Sequence, residues 1–376
     1  MRRTPALIVG GGPAGASAAI LLARAGTPHL LLERSRETGD ALCGGFLSWR
    51  TLESLGRLGV SPDDLGPAIV TQVRLFSTHD YVEAALPAPA RGVSRHHLDT
   101  LLLARAAAFG AAIERGVAVR SIADTTAQLD DGTSLVGDAL FLASGKHDIR
   151  GLARPAEARG ADPTLGLRVR LGPAPALSRL IGQSIELHLF DRGYAGIVMQ
   201  EDGTANCCMA VHRSRLHEAG SPAALLDALA VEHPRLGERL AWRDATAAID
   251  AIANVPYGWR CSSGAPGLFR LGDQAGVIPS LAGEGMGIAI ASGIRGANAY
   301  LNSGAGAALG FQRDLARDLA KPIGLAGLIR GGAESSSLTR LALPMLRAMP
   351  ILIDVIARQT RIGHSPVNAI PGPLEG

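Results

Sequence analysis

The hydrophobic pattern at the start of the chain changes from a continuous run to helical spacing and back again. Residues 6–9 are all apolar, which is typical of a strand buried in a parallel sheet. Small and apolar residues then recur at helical spacing over residues 14–25, and Gly26 ends that pattern. A second, mostly apolar run over residues 29–32 stops at Glu33. The order strand, helix, strand predicts a βαβ unit.

The middle of the chain changes to the alternation of antiparallel strands. Residues 165–212 alternate repeatedly, with glycine-containing turns at residues 191–193 and 201–203, which predicts an antiparallel sheet. The same criteria predict antiparallel strands over 70–76 and 81–86, helices over 49–58, 95–109, 222–240 and from 285 towards 300, further strands over 117–122, 127–129, 139–143 and 268–271, and a mostly helical tail over 311–361.

Composition narrows the class of protein. The chain has 376 residues, 47% hydrophobic and 19% charged, as expected of a folded protein with two or three domains. The net charge is only +3, and no basic run interleaves with aromatic residues, so we expect no nucleic-acid partner. The four cysteines lack the spacing of a metal site. We therefore expect no metal, reduced thiols and a cytoplasmic location.

Both ends of the chain carry apolar stretches that imitate targeting or membrane segments. Arg2 and Arg3 precede an apolar stretch, but residues 10–13 (Gly-Gly-Gly-Pro) break it where a signal peptide would be a continuous helix. The apolar tail over residues 338–356 is interrupted by charged residues and prolines, so it cannot span a bilayer. We expect a helical cap over a substrate cavity; peripheral contact with a membrane surface remains the alternative.

The turn after the first predicted strand has the spacing GxGxxG. Gly10 permits a tight turn, Gly12 lets a pyrophosphate approach the backbone, and Gly15 lets helix and strand pack closely. Pro13 and Ala14 open the helix, whose free N–H groups and positive dipole end attract phosphates. With both strands and the helix in place, the spacing predicts a dinucleotide site.

Two further segments complete that site. Glu33, followed by Arg34, ends the second strand, where its carboxylate can accept the ribose hydroxyls of a dinucleotide. The strand over residues 268–271 leads into Gly272 and Asp273, whose carboxylate is suited to the ribityl hydroxyls of a flavin. A glycine-rich turn over residues 283–287 then opens a helix whose positive end can stabilise a reduced flavin. Together the segments predict FAD.

These segments resemble the FAD enzymes with the p-hydroxybenzoate hydroxylase fold, and among them the geranylgeranyl reductase-like branch. That branch has a Gly-Asp-Ala-Ala-Gly…Pro…Gly-Glu-Gly pattern, which is similar to residues 272–285 here, and a Cys-Gly-Gly that matches residues 43–45. Arg95 and Asp99 match the Arg-x-x-x-Asp of the family's flavin-contacting helix. The resemblance covers residues 1 to about 300.

The resemblance implies an α/β fold: a glutathione reductase-type Rossmann FAD domain, an inserted antiparallel-sheet substrate domain and a helical C-terminal tail. The implied FAD domain is discontinuous, and the remaining segments form the other two units. The expected bounds are 1–75, 95–165 and 262–310 for the FAD domain, 76–94 and 166–261 for the substrate domain, and 311–376 for the helical cap.

The resemblance also implies the roles of individual residues. Cys43 would lie beside the isoalloxazine and assist proton or hydride delivery, unless it is only a small buried residue of its loop. Tyr194 would face the substrate, unless it is a core tyrosine. The expected cofactor-binding residues are Gly10, Gly12, Pro13, Ala14, Gly15, Glu33, Arg34, Cys43, Gly44, Gly45, Arg95, Ser144, Gly145, Gly272, Asp273, Gly283, Gly285, Met286 and Gly287.

Two departures from the family pattern affect these roles. Ser144 stands where the family has an aspartate that touches flavin and nicotinamide, so that contact is in doubt. The reductases' aromatic-rich Tyr-x-Trp-x-Phe-Pro segment keeps only Tyr194. We therefore expect a substrate of a different shape.

Three functions remain open at this point. The first is reduction of a carbon–carbon double bond in an apolar prenyl- or polyketide-like substrate by hydride from reduced FAD. The second is a monooxygenase that hydroxylates an aromatic or polyketide-like substrate with NAD(P)H and oxygen, and the third is a non-catalytic, flavin-binding redox sensor. A flavin halogenase is excluded, because it needs a lysine beyond the glycine loop and none precedes Lys146. With a single dinucleotide fingerprint, electrons must come from transiently bound NAD(P)H or a separate donor.

Overall fold

The computed structural model describes residues 2–78 and 80–363, so the last part of the expected cap lies outside the described residues. The strands, in chain order, are β1 Arg2–Val9, β2 His29–Glu33, β3 Phe46–Leu47, β4 Ile69–Phe76, β5 Tyr81–Gly92, β6 Ala112–Arg115, β7 Val119–Ala123, β8 Thr126–Leu129, β9 Ser134–Leu142, β10 Thr164–Leu171, β11 Ser184–Phe190, β12 Gly193–Met199, β13 Ala205–His212, β14 Asp250–Val255 and β15 Leu268–Arg270. The α-helices are α1 Pro13–Arg24, α2 Trp49–Arg57, α3 Arg95–Ala108, α4 Pro175–Ile181, α5 Arg213–Ala219, α6 Pro222–Glu232, α7 Pro234–Leu240, α8 Gly285–Ser303, α9 Ala308–Ala333, α10 Ser336–Ala348 and α11 Ile351–Gln359.

The first sheet is the predicted Rossmann sheet, with the order β6-β2-β1-β9-β8-β7. β1 pairs in parallel with β2 and β9, and β15 pairs in parallel with the carboxyl end of β9. Helices α1, α3 and α8 pack together on one face of this sheet, where they share one buried core. The carboxyl ends of the parallel strands therefore meet at one edge, which is where open α/β sheets bind ligands.

The second sheet is mostly antiparallel, with the order β14-β10-β13-β12-β11-β4-β5-β3. The pair β4 and β11 is its parallel exception. Helices α6 and α7 cover one face, around a core that includes Leu225, Leu229 and Leu236. Residues of the opposite face cluster with Leu343 and Ile353 from α10 and α11. The α/β fold class, including the helical tail, is confirmed.

The strand β4 bears on the expected domain division. Its residues were assigned to the FAD domain, which was expected to extend to residue 75. In the structure β4 pairs with β5 and β11 in the second sheet. The division into three units stays a prediction, but β4 belongs with the second sheet by its hydrogen bonds.

Some elements were not predicted, and others differ from their predicted form. The strands β6 and β14 were missed because most of their residues are half-buried or exposed, so they carry no strong alternation. The predicted helix over residues 222–240 is two helices, α6 and α7, separated at His233. The reason is Pro234, which lacks an N–H and disfavours helical geometry in the residue before it.

Candidate active site

The glycines of the first turn have different structural roles. Gly10 has φ +107°, and a Cβ there would lie 2.4 Å from the carbonyl oxygen of Ala143. A Cβ on Gly15 would lie 1.9 Å from the carbonyl oxygen of Gly10. A Cβ on Gly12 would meet only the flexible end of Arg95, at 3.2 Å. Gly10 and Gly15 are thus required by packing, whereas Gly12 leaves open surface at the start of α1.

Glu33 is fixed at the end of β2 beside this turn. Its Oε2 accepts the N–H of Gly11 at 2.8 Å, and its Oε1 accepts the N–H of Ser35 at 2.9 Å. Each carboxylate oxygen keeps a lone pair for another donor. The neighbouring Arg34 points elsewhere, with its Nη2 2.9 Å from Nε2 of His147.

Arg95, at the first position of α3, faces the same turn from the other side. Its guanidinium donates to both carboxylate oxygens of Asp99, at 2.8 and 2.6 Å. Burial by itself disfavours the charge, but the paired Asp99 carboxylate outweighs it and raises the pKa of Arg95 above its ordinary value. Arg95 therefore presents a permanent, oriented positive charge to the site.

The segment after β15 is braced against the loop after β9 by residues that the sequence did not single out. Arg154 donates to the carbonyl oxygens of Gly145, Lys146 and Asp273, at 3.3, 2.6 and 2.9 Å. Its Nε also lies 2.9 Å from a carboxylate oxygen of Asp148. The Asp273 carboxylate lies 3.3 Å from Nζ of Lys146. One buried guanidinium thus couples two segments that are far apart in sequence.

Cys43 lies in a loop that is held from both sides. Asn206 donates to the carbonyl oxygen of Cys43 at 2.9 Å, and the N–H of Val93 donates to that of Gly45 at 2.8 Å. Gly45 has φ +73°, and a Cβ there would lie 2.9 Å from the side-chain amide of Gln200. The loop therefore needs glycine, and it leaves Cys43 half-buried on the wall of a cavity.

This cavity, of about 490 Å³, extends from the turn at residues 10–15 to the second sheet and the C-terminal helices. At one end it is lined by the segments around Gly12, Arg95 and Asp273. Apolar side chains from the second sheet and from α9, α10 and α11 line the other end: Val73, Leu75, Ile185, Leu187, Leu189, Ile329, Leu338, Leu343, Leu346, Ile353 and Ile356.

The two thiols on the cavity wall differ in origin. Cys208 comes from β13, and burial raises the pKa of its thiol to about 12. Cys43 comes from the loop at residues 43–45, which the resemblance assigns to the cofactor site. Cys207 faces the opposite side of β13, where it belongs to the core under α6 and α7.

Tyr194 also lines the cavity, and it is 2% exposed. Its hydroxyl lies 2.6 Å from Oγ of Ser280 and accepts the N–H of Leu281 at 2.9 Å. Burial raises the pKa of Tyr194 well above its ordinary value. The side chain thus contacts the turn before α8 and does not point to solvent.

Most of the expected cofactor residues lie on this cavity, and six do not. Gly10, Gly15, Glu33, Arg34, Ser144 and Gly287 are absent from its wall. Gly10 and Gly15 serve packing, as does Gly287, where a Cβ would lie 2.6 Å from the Glu284 carboxylate. The hydroxyl of Ser144 donates to the carbonyl oxygen of His147.

Glu284 is fully buried at the N-cap of α8, and its side chain does not cap the helix. Its carboxylate instead accepts from Ser48 at 3.1 Å and from Arg361 at 2.7 Å. It therefore joins α2, α8 and the end of the described tail. Burial raises the pKa of this carboxyl above its ordinary value.

The residues of the turn before α1 and of the turn before α8 fit an FAD. Neither α1 nor α8 has a side-chain cap at its N-terminus, and residues at both of these ends line the cavity. Uncapped N–H groups with a positive dipole end suit a pyrophosphate at one helix and the carbonyl edge of a flavin at the other. Gly12, Arg95 and Asp273 would hold the group between these two ends.

The comparisons with known proteins agree with this geometry. The family model described as "FAD binding domain" matches residues 3–135. A flavoprotein/dehydrogenase from Cytophaga hutchinsonii superposes with a TM-score of 0.78 at 17% identity, covering 95% of this chain and 93% of its own. PqsL from Pseudomonas aeruginosa, a probable FAD-dependent monooxygenase, gives 0.68 at 16% identity, covering 90% and 98%.

The protein is an FAD-dependent oxidoreductase with the fold of the p-hydroxybenzoate hydroxylase group. This oxidoreductase is also similar to digeranylgeranylglycerophospholipid reductase 2 from Methanopyrus kandleri, with 27% identity over 298 residues, 74% of this chain and 72% of the relative. Within residues 2–78 and 80–363, no helix is long and apolar enough to cross a membrane, and no group of His, Cys, Asp and Glu could hold a metal ion.

Proposed function

We propose that this FAD oxidoreductase reduces a carbon–carbon double bond of an apolar, prenyl- or polyketide-like substrate. The observation that carries the proposal is the position of Cys43 on the wall of a cavity that the expected cofactor segments and many apolar side chains also line. A thiol proton beside a mostly apolar chamber suits the saturation of a double bond. The similarity to digeranylgeranylglycerophospholipid reductase 2 from Methanopyrus kandleri supports a reduction and a prenyl-like substrate.

When bound and reduced, FAD supplies a hydride to one carbon of the double bond. The thiol of Cys43 holds the proton that the second carbon needs, at Sγ, and regains a proton from water after product release. Leu187, Leu343 and Ile353 line the chamber with apolar side chains. These side chains limit the access of water, which would otherwise favour side reactions of the reduced cofactor. Arg95 holds its charge towards the cofactor end and supports the anionic group bound there.

NAD(P)H, bound transiently, is the proposed electron donor, with a separate electron carrier as the alternative. The proposal rests on the single dinucleotide fingerprint, at residues 10–15, which we assign to FAD. A cytoplasmic location and peripheral contact with a membrane also remain predictions. Exposed apolar side chains on the outside of the C-terminal helices, including Leu328, Leu341 and Ile351, favour contact with an apolar surface.

The replacement Cys43→Ser tests the proposed reaction. Serine keeps the volume but is a far weaker acid, so turnover should fall by about 10²–10⁴, the scale of losing a general acid. FAD content and the rate of flavin reduction should stay near those of the wild type. The matched control is Cys261→Ser, a buried cysteine away from the cavity, which should keep its turnover.

The alternative monooxygenase gives the opposite result in the same experiment. A hydroxylation needs no proton from the thiol of Cys43. The variant Cys43→Ser of a monooxygenase would therefore keep its turnover. That outcome, together with oxygen consumption dependent on substrate, would overturn the reductase proposal.

A further inference from the structure

Three hydroxyl groups meet on the wall of the cavity, in front of the turn before α8. The hydroxyl of Tyr194 lies 2.6 Å from Oγ of Ser280, and the hydroxyl of Tyr257 donates to the same oxygen at 2.7 Å. All three residues line the cavity. We call Tyr194, Ser280 and Tyr257 the hydroxyl cluster.

The hydroxyl cluster has one proton more than its two hydrogen bonds to Ser280 use. Three hydroxyls carry three protons, and two hydrogen bonds connect them. The N–H of Leu281 donates to the cluster and adds no acceptor. The two phenols also lie close enough to interact, so Tyr257 can accept a hydrogen bond from Tyr194. If Tyr194 donates to Ser280, the O–H of Ser280 remains for a group in the cavity. If Ser280 donates to Tyr194, the O–H of Tyr194 can turn either to Tyr257 or to such a group.

The side chains around the hydroxyl cluster offer little to pair with an O–H donor that points into the cavity. The neighbouring wall includes Val255, Leu281 and Ala333, which have no side-chain acceptor. The guanidinium of Arg330 lies 4.9 Å from the ring centre of Tyr257 and is itself a donor. An unpaired donor in an apolar chamber costs free energy unless a ligand supplies an acceptor.

We propose that the hydroxyl cluster binds a carbonyl oxygen of the substrate, so that the substrate is an apolar compound with a carbonyl conjugated to the reacting double bond. This inference rests on the proposed reduction. A hydrogen bond to the carbonyl draws electrons from the distant carbon of the double bond, which accepts the hydride. The electron pair of the double bond moves towards the oxygen, where the cluster stabilises the developing negative charge. The carbon next to the carbonyl then takes the proton from Cys43.

The acidity of the hydroxyls agrees with a donor role. Burial raises the pKa of Tyr257 to about 12 and that of Tyr194 well above its ordinary value. Both phenols therefore stay protonated at neutral pH and can donate. Neither is a base at that pH, which separates this role from proton abstraction.

A matched pair of probes tests the inference by binding alone. Benzylideneacetone carries the conjugated carbonyl, and 1-phenyl-1-butene has the same skeleton without the oxygen. Both are titrated into the oxidised FAD-loaded protein, which does not turn them over. In the triple variant Tyr194→Phe, Ser280→Ala, Tyr257→Phe, affinity for the ketone should fall about three- to tenfold, the size of one net hydrogen bond. Affinity for the hydrocarbon should not fall.

The infrared carbonyl stretch of bound benzylideneacetone gives a second readout, which needs no variant. In the wild type it should lie at the low frequency of a hydrogen-bonded ketone, and Tyr300→Phe, a tyrosine outside the cavity, should leave it there. A stretch at its value in an apolar solvent would overturn the inference, as would an equal loss of affinity for both probes. Because Cys43→Ser reports on turnover and these probes report on binding, either proposal can fail without the other.

Discussion

At the scale of single residues, an added side chain has opposite consequences at two glycines of the same turn. A Cβ on Gly15 collides with the backbone of Gly10, which cannot move without disturbing β1 and α1. A Cβ on Gly12 meets only the end of Arg95. The φ of Gly12 is −69°, which any residue can adopt. We therefore expect the fold to depend on Gly15 and FAD binding to depend on Gly12.

The replacement Gly12→Val should therefore remove FAD and leave the fold intact. The branched side chain would occupy the surface that the pyrophosphate needs. The flavin absorbance of the purified protein should be lost, while its circular dichroism stays that of the wild-type apoprotein. The comparison variant Gly15→Val should lower the yield of folded protein. Full FAD content in Gly12→Val would contradict the assignment of this turn.

Sequence reasoning found the residues that carry a local signature and missed those that act through distant partners. Gly10, Gly12 and Glu33 were assigned to the cofactor site because their spacing along one βαβ unit is itself the signal, and that assignment stays a prediction. Arg154 and Ser280 carry no such signal. Arg154 binds backbone carbonyls, and Ser280 pairs with tyrosines on other strands, so only the folded chain reveals their roles.

At the scale of elements, strongly buried helices and strands were predictable and exposed ones were not. The helix α3 was found from its apolar spacing, and its N-cap Ser94 accepts the N–H of His97 as such a start requires. The edge strand β14 escaped because most of its residues are exposed or half-buried. Glu284 fits a first-turn acid by sequence, but in the structure it joins three elements, which no periodicity could indicate.

The replacement Glu284→Ala should destabilise the packing of the tail against α8. It would leave the guanidinium of Arg361, which lies over the ring of Trp49, buried without its carboxylate. Breaking a buried pair from one side costs about 3–5 kcal/mol of the free energy of unfolding. The change is measured by urea denaturation. Glu232→Ala, which removes a partly exposed ion pair with Arg215, should cost about 1 kcal/mol or less, and an equal loss in both variants would contradict this role.

At the scale of the whole molecule, the site exists because separate parts of the chain meet around one cavity. The FAD segments come from the first sheet, the apolar wall from the second sheet, and the remaining wall from the C-terminal helices. The sequence predicted each part and the helical nature of the tail. It could not predict how they meet, because that depends on contacts such as the brace of Arg154 between residues 145–148 and 273.

The replacement Arg154→Met should weaken both the fold and the FAD site. It keeps the apolar stem but removes the guanidinium from the Asp148 carboxylate and from the carbonyl oxygens of Lys146 and Asp273. We expect a loss of about 1.5–3 kcal/mol in the free energy of unfolding, the scale of hydrogen bonds to a charged group, and weaker FAD binding in fluorescence titration. Arg150→Met, at an exposed position of the same segment, is the matched control. Unchanged FAD affinity in Arg154→Met would show that the brace does not shape the site.

The most direct test of the proposed function follows the flavin under strict exclusion of oxygen. The FAD-loaded protein is reduced with dithionite, freed of excess reductant and mixed with an apolar enone such as benzylideneacetone or with a prenyl alcohol such as geranylgeraniol. If the protein is a double-bond reductase, the flavin reoxidises without oxygen, and mass spectrometry finds a product with two added hydrogens. A flavin that stays reduced until oxygen is admitted, with a product that has gained an oxygen atom, would contradict the account.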